Sequence, residues 1–138
     1  MRRFLYLLIC SLFLFAACQQ DLEPKTKDKS ILINSISKAA SNLEGLDNVH
    51  VASGTLSRTK PLITLELIYK EPRSIEHIEL LTEHFYMSLE KILINENIEL
   101  ELWKEYDLEI IVRTINDGFV KTGIQEKGNT VIEWDVEE

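Results

Sequence analysis

His50, His77 and His84 are the side chains in this chain best suited to hold a metal or move a proton. His77 and His84 stand seven residues apart, which places both on one face of a helix. Seven residues rise roughly 10 Å along a helix axis, too far for both to bind one ion. The metalloprotease pattern, two histidines at i and i+4 with a glutamate between them, is absent. The pair therefore reads as solvated side chains on a polar helix face, and His50 has no evident partner. Glu99, Glu101, Glu105, Asp107 and Glu109 alternate with apolar residues. Such a run could gather negative charge for a cation or basic partner, or simply form the wet side of an amphipathic strand. No two of them stand out as an acid/base couple. Asp117-Gly118 lacks the other ligand positions of a calcium loop and reads as a turn. Ser53-Gly54 and Ser57 match no nucleophile elbow, and the five glycines are too scattered for a phosphate loop. No cofactor and no catalytic set are implied.

Trp103, Tyr106 and Trp134 are the other residues of interest. Exposed together they would form an interaction patch; buried, they would be core or sheet-edge packing.

Formal charge is −8. A surface of that sign repels phosphate backbones, so no nucleic acid is expected as a partner. Contact with an anionic bilayer would have to come from an anchor rather than a basic patch.

The N-terminus carries such an anchor signal. Arg2 and Arg3 precede a stretch from Phe4 to Phe15 that is apolar except for Ser11, and Ala16 and Ala17 lead to Cys18. That order is the pattern of a secretory signal. A membrane span needs roughly 20 apolar residues, whereas Phe4–Cys18 supplies 15 before Gln19, Gln20 and Asp21 end the run. Phe15-Ala16-Ala17-Cys18 resembles the lipobox of bacterial lipoproteins, with Phe15 where leucine is usual. The richness in Phe and the loose box look like those of Bacteroidota lipoproteins. The resemblance covers about the first 23 residues and implies cleavage before Cys18, acylation of that cysteine (with palmitate-type chains) and an address on the cell envelope, at the outer membrane. Gln19 is not the aspartate that favours inner-membrane retention, and Gln19–Glu23 only partly resembles an acidic surface-export signal. The periplasmic and surface faces therefore both remain open. Several acyl chains would hold the protein firmly, at about 0.8 kcal/mol per buried methylene. Cleavage takes 17 of 138 residues and leaves 121, with 13 basic and 23 acidic groups. Cys10 leaves with the signal and Cys18 is acylated, so the body must be stable without a disulfide.

Positioning elements follow from periodicity. Gln19–Lys29 is polar and contains Pro24, so residues 18–29 read as a lipidated cysteine and flexible tether. Residues 30–138 read as one domain. Ser30 can cap a helix whose stripe is Leu32, Ile36, Ala39, Leu43 and Leu46. Val49–Leu56, with Val49 and Val51 on one face, and Leu62–Tyr69 suggest a hairpin around Ser57–Pro61. Ser74 opens a long helix with Ile75, Ile78, Thr82, Phe85, Leu89, Ile92 and Leu93 on one stripe, ending near Asn95 and Asn97. Residues 98–102 fit either a strand or a loop with apolar groups under the helix end. Tyr106–Thr114, Val120–Ile124 and Ile132–Val136 then suggest a three-strand meander, with turns at Asn116–Gly118 and Lys127–Asn129. The expected architecture is α+β: two helices on one face of a mostly antiparallel five-stranded sheet, in the order α-β-β-α-β-β-β, with the second and third strands parallel across the long helix.

The function this implies is a non-catalytic binding or protein-interaction module, held to the membrane through Cys18, with a protein partner in the envelope or a small ligand. Two alternatives stand beside it. One is a small envelope enzyme using dispersed carboxylates or histidines. The other is an inhibitor or immunity-like protein with an acidic binding face.

Overall fold

Strict alternation at Leu62–Tyr69 produces a strand, β2, with Ile63, Leu65, Leu67 and Tyr69 buried and the intervening residues only half-buried. The computed structural model describes residues 23–116, 118 and 120–135. The signal reading at 1–17, Cys18, Asp117 and the end of the chain from Val136 lie outside the described residues. The chain divides into two units, 1–31 and 32–138, and the packing below concerns the second.

β1, Val49–Leu56, pairs antiparallel with β2. In the turn between them the Ser57 hydroxyl accepts from the Thr59 and Lys60 amides, each at 3.3 Å. Val49 and Val51 were expected on one face, but Val49 is buried and Val51 is exposed. The register shifts between them, and the extra residue of this bulge, at His50, reverses the side-chain alternation.

The first helix, α1, spans Glu23–Ser41. It begins within the segment expected as tether, so Ser30 lies inside the helix rather than capping it. Pro24 is compatible with a first turn, where its missing N–H would have no partner in any case. From Leu32 onward the expected stripe is buried, with Ala40 and Ser35 added to it. Leu46 is the exception at 44 % exposed, because the helix stops at Ser41 and Leu46–Asn48 forms a separate short 3-10 turn.

The second helix, α2, spans Ile75–Asn95 after Ser74. Its buried side is Ile78, Leu81, Thr82, Phe85, Leu89 and Leu93, and the Thr82 hydroxyl donates back to the Ile78 carbonyl at 2.9 Å. Residues 98–101 form no strand. The Ile98 amide donates to the Leu93 carbonyl at 2.9 Å, and Ile98 and Leu100 pack partly buried against the core. Apolar alternation here serves a loop lying on the core. A third, four-residue helix, α3 (Leu102–Glu105), follows and buries Leu102.

β3, Asp107–Thr114, lies parallel to β2 from Leu62↔Asp107 to Tyr69↔Thr114, as a crossover through α2 requires. β4 (Val120–Gln125) and β5 (Glu133–Asp135) complete an antiparallel meander. Ile132 was expected in the last strand but precedes it. The sheet order is β1-β2-β3-β4-β5. The fold is thus α+β with a mostly antiparallel five-stranded sheet, as the periodicity indicates, and with one more short helix than expected.

Buried residues of α1, of α2 and of β1, β2 and β3 join in a single apolar cluster. Gly54 shows how closely the first helix approaches. A methyl group there would stand 2.7 Å from Ile36 Cγ2 and 2.9 Å from the Ile36 carbonyl oxygen. Just past the end of α1, Asn42 Nδ2 donates to Ser88 Oγ of α2 at 2.8 Å. Among the described residues no helix is long and apolar enough to cross a membrane.

Candidate functional site

A cleft of about 450 Å³ opens between α2, α3 and the segment joining β4 to β5. One wall is the flank of α2 bearing Glu79, Glu83 and Tyr86. Trp103 of α3 forms another, and Thr130–Ile132 close the third side over Gln125. A cleft of that size falls in the range of small-molecule sites. A second depression, of about 520 Å³, is formed by the end of α2 and the loop that follows it. It lacks the interlocked polar side chains that distinguish the first.

Those side chains hold one another. Tyr86 Oη donates to Gln125 Oε1 at 2.7 Å, and Gln125 Nε2 donates to the Asn129 carbonyl at 2.7 Å. Gln125 is almost fully buried and needs both partners. Burial pushes the Tyr86 hydroxyl far above the usual tyrosine range, so it stays protonated and able to donate. The rings of Tyr86 and Trp103 meet edge to face at 88°. The Trp103 indole donates to Glu90 at 3.2 Å, and the Trp134 indole donates to Glu79 at 2.9 Å.

The segment after β4 is fixed by backbone contacts. The Gly128 amide donates to the Trp103 carbonyl at 2.5 Å, and the Lys127 amide to Asp107 Oδ1 at 2.8 Å. Trp134 lies over Gly123, where a methyl group would stand 2.8 Å from the indole carbons. A side chain at this point of β4 would force the indole or Ile132 to shift.

The chain matches no family model, no curated protein and no solved structure. What the site can do therefore rests on its own geometry.

Of the three aromatic residues singled out in the sequence, Trp103 lines the cleft. Trp134 is partly buried behind it, bonded to Glu79, and Tyr106 is partly buried between α3 and β3, outside the lining. The histidines are not brought together: His77 pairs with Asp47, while His84 and His50 are exposed. Nor do the carboxylates gather on one face. Glu99 and Glu101 lie in the loop and Glu105 in α3. Asp107 binds the Lys127 amide, and Glu109 accepts from Thr64 Oγ1 at 3.1 Å. Among the described residues no group of three His, Cys, Asp or Glu is placed to hold a metal.

Glu79, Glu83, Tyr86, Gln125 and the Thr130–Ile132 segment were not singled out from sequence. A signal for the first three existed. Glu79, Glu83, Tyr86 and Glu90 follow one another at spacings of 4, 3 and 4, a second helical stripe beside the apolar one.

Proposed function

We propose that this chain is a lipid-anchored lipoprotein of the cell envelope, tethered to the outer membrane through Cys18, whose globular part is a non-catalytic binding module. The cleft beside α2 carries that reading: it is ligand-sized, and its polar side chains are held in fixed hydrogen bonds that give a preformed wall. Both long helices cover one face of the sheet in this reading. The opposite face carries the Thr64–Glu109 bond and the Glu66–Arg113 ion pair. The anchor rests on the lipobox resemblance at Phe15–Cys18 and on the brevity of the apolar run before it.

Two experiments test the two halves. Mass spectrometry of the mature N-terminus should show acylated Cys18, and Cys18→Ser protein should leave the membrane fraction. An uncleaved Met1, or a Cys18→Ser variant still held by membranes, would sink the anchor. For the binding module, a fragment-library screen by NMR should move the Trp103 indole signal. A library that leaves it unmoved while shifting other sites would remove the cleft from consideration.

A further inference from the structure

We infer that the cleft beside α2 takes an organic cation, an ammonium or guanidinium group carried next to an apolar or aromatic body. This rests on the reading of the cleft as a binding site and adds the chemistry of its ligand.

Donor and acceptor bookkeeping makes the case. Apart from the exposed Thr130 hydroxyl, the side-chain donors lining the cleft are engaged within the protein. The Tyr86 hydroxyl is bound to Gln125, the Gln125 amide to Asn129, the Trp103 indole to Glu90 and the Thr82 hydroxyl to Ile78. Acceptors remain. Glu79 receives one indole bond from Trp134 and keeps its second oxygen, and Glu83 stands exposed one helical turn further on. No lysine, arginine or histidine is among the described residues that line the cleft. An anion entering it would meet two carboxylates and few free donors. A cation would meet carboxylate oxygens that accept charge-assisted hydrogen bonds and a wall containing two aromatic side chains, Tyr86 and Trp103, a residue type whose ring face attracts positive charge. Val131 and Ile132 on the remaining side suit an apolar body attached to the charge.

A matched series tests this. The full chain in non-ionic detergent micelles would be titrated with tyramine, tyrosol and 3-(4-hydroxyphenyl)propionate, which share a ring and differ in a positive, neutral or negative end. The Trp103 indole resonance provides the readout. Tyramine should bind about tenfold more tightly than tyrosol, since a hydrogen bond to a charged group contributes about that much, and the propionate should bind worst. Glu83→Gln should weaken tyramine about tenfold and leave tyrosol unchanged. Glu79→Gln, which keeps an acceptor for Trp134, should act in the same direction. Glu71→Gln, exposed just past the end of β2 and outside the cleft lining, should change neither, which separates a local contact from overall charge. If tyrosol or the propionate binds as well as tyramine, the cation is wrong and the cleft stands as a site. If all three leave Trp103 unmoved, the cleft reading falls with it. Agmatine and a blocked Gly-Arg-Gly peptide then distinguish sources. Tighter agmatine binding supports a free amine as the ligand, and tighter peptide binding supports a basic side chain presented by a protein.

Discussion

The Tyr86 hydroxyl donates to Gln125 Oε1 at 2.7 Å and so joins the middle of the long helix to the last residue of β4. The bond lies under the cleft and bridges two elements that share no other side-chain hydrogen bond among the described residues. It holds the floor of the site to one of its walls.

Tyr86→Phe should therefore destabilise the fold although it preserves the ring and its contact with Trp103. Gln125 is 7 % exposed, and its carbonyl would lose its partner. An unpaired buried acceptor costs about 1–3 kcal/mol. Urea unfolding of both proteins measures the difference; coincident midpoints would show that the bond contributes nothing to stability.

Gly54→Ala should destabilise by about 1–3 kcal/mol, as overpacking does. In a strand open to solvent the same change would ordinarily help, because alanine restricts the unfolded chain. Here the new methyl meets the Ile36 carbonyl oxygen at 2.9 Å, and a helix backbone cannot swing aside as a side chain can. Ser53→Ala, next to it on the exposed side of β1, serves as the control and should stay within about 0.5 kcal/mol. Thermal melts decide the sign.

Tyr69 gives the opposite expectation. It is fully buried, and its hydroxyl has no hydrogen-bond partner among the described residues. Tyr69→Phe should leave stability at pH 7 unchanged or raise it, because burying an unpaired hydroxyl is unfavourable. The pH dependence follows from the same burial. Burial, with a smaller contribution from Asp47, pushes the hydroxyl up to about 12, against an unfolded value near 10. Between those values the unfolded chain loses the proton first, so stability falls as pH rises through that window and is constant just below it. Tyr69→Phe should flatten the decline. Some slope should persist, since Tyr86 is also raised by burial. Denaturant midpoints from about pH 8 to 12 test both points, and an unaltered slope in the variant would contradict the assignment.

Across the parallel pair, Arg113 Nε lies 2.8 Å from Glu66 Oε1, with both side chains substantially exposed. A double-mutant cycle of Arg113→Ala and Glu66→Ala should give a coupling below about 1 kcal/mol. That coupling should vanish in about 1 M salt, where the screening length falls to about 3 Å. A larger, salt-resistant value would mean that this sheet face is drier than the side-chain exposures indicate.

Short-range pattern alone settled much of this molecule. Alternation at Leu62–Tyr69 and Leu108–Thr114 specified two strands and their buried faces, because side chains on a strand alternate with a period of two wherever the chain runs straight. The stripe Ile78, Thr82, Phe85, Leu89, Leu93 specified the long helix and the side it buries. The placement of a helix between two strands already implied that they run parallel. Other features were open to no such reading. The bulge at His50 reversed the faces of Val49 and Val51 through strand register, which depends on the partner strand. The alternation at Ile98, Leu100 and Leu102 was equally compatible with strand and loop, and no neighbouring edge takes it up as a strand. The cleft belongs wholly to tertiary structure. Glu79, Glu83 and Tyr86 announce themselves as one helical flank, but Trp103, Gln125 and Thr130–Ile132 reach them only once the sheet has ordered β4 beside β3. Periodicity reports which way a side chain points from its own element. Which side chains meet across elements is decided by packing, and a site assembled from three separate segments exists only there.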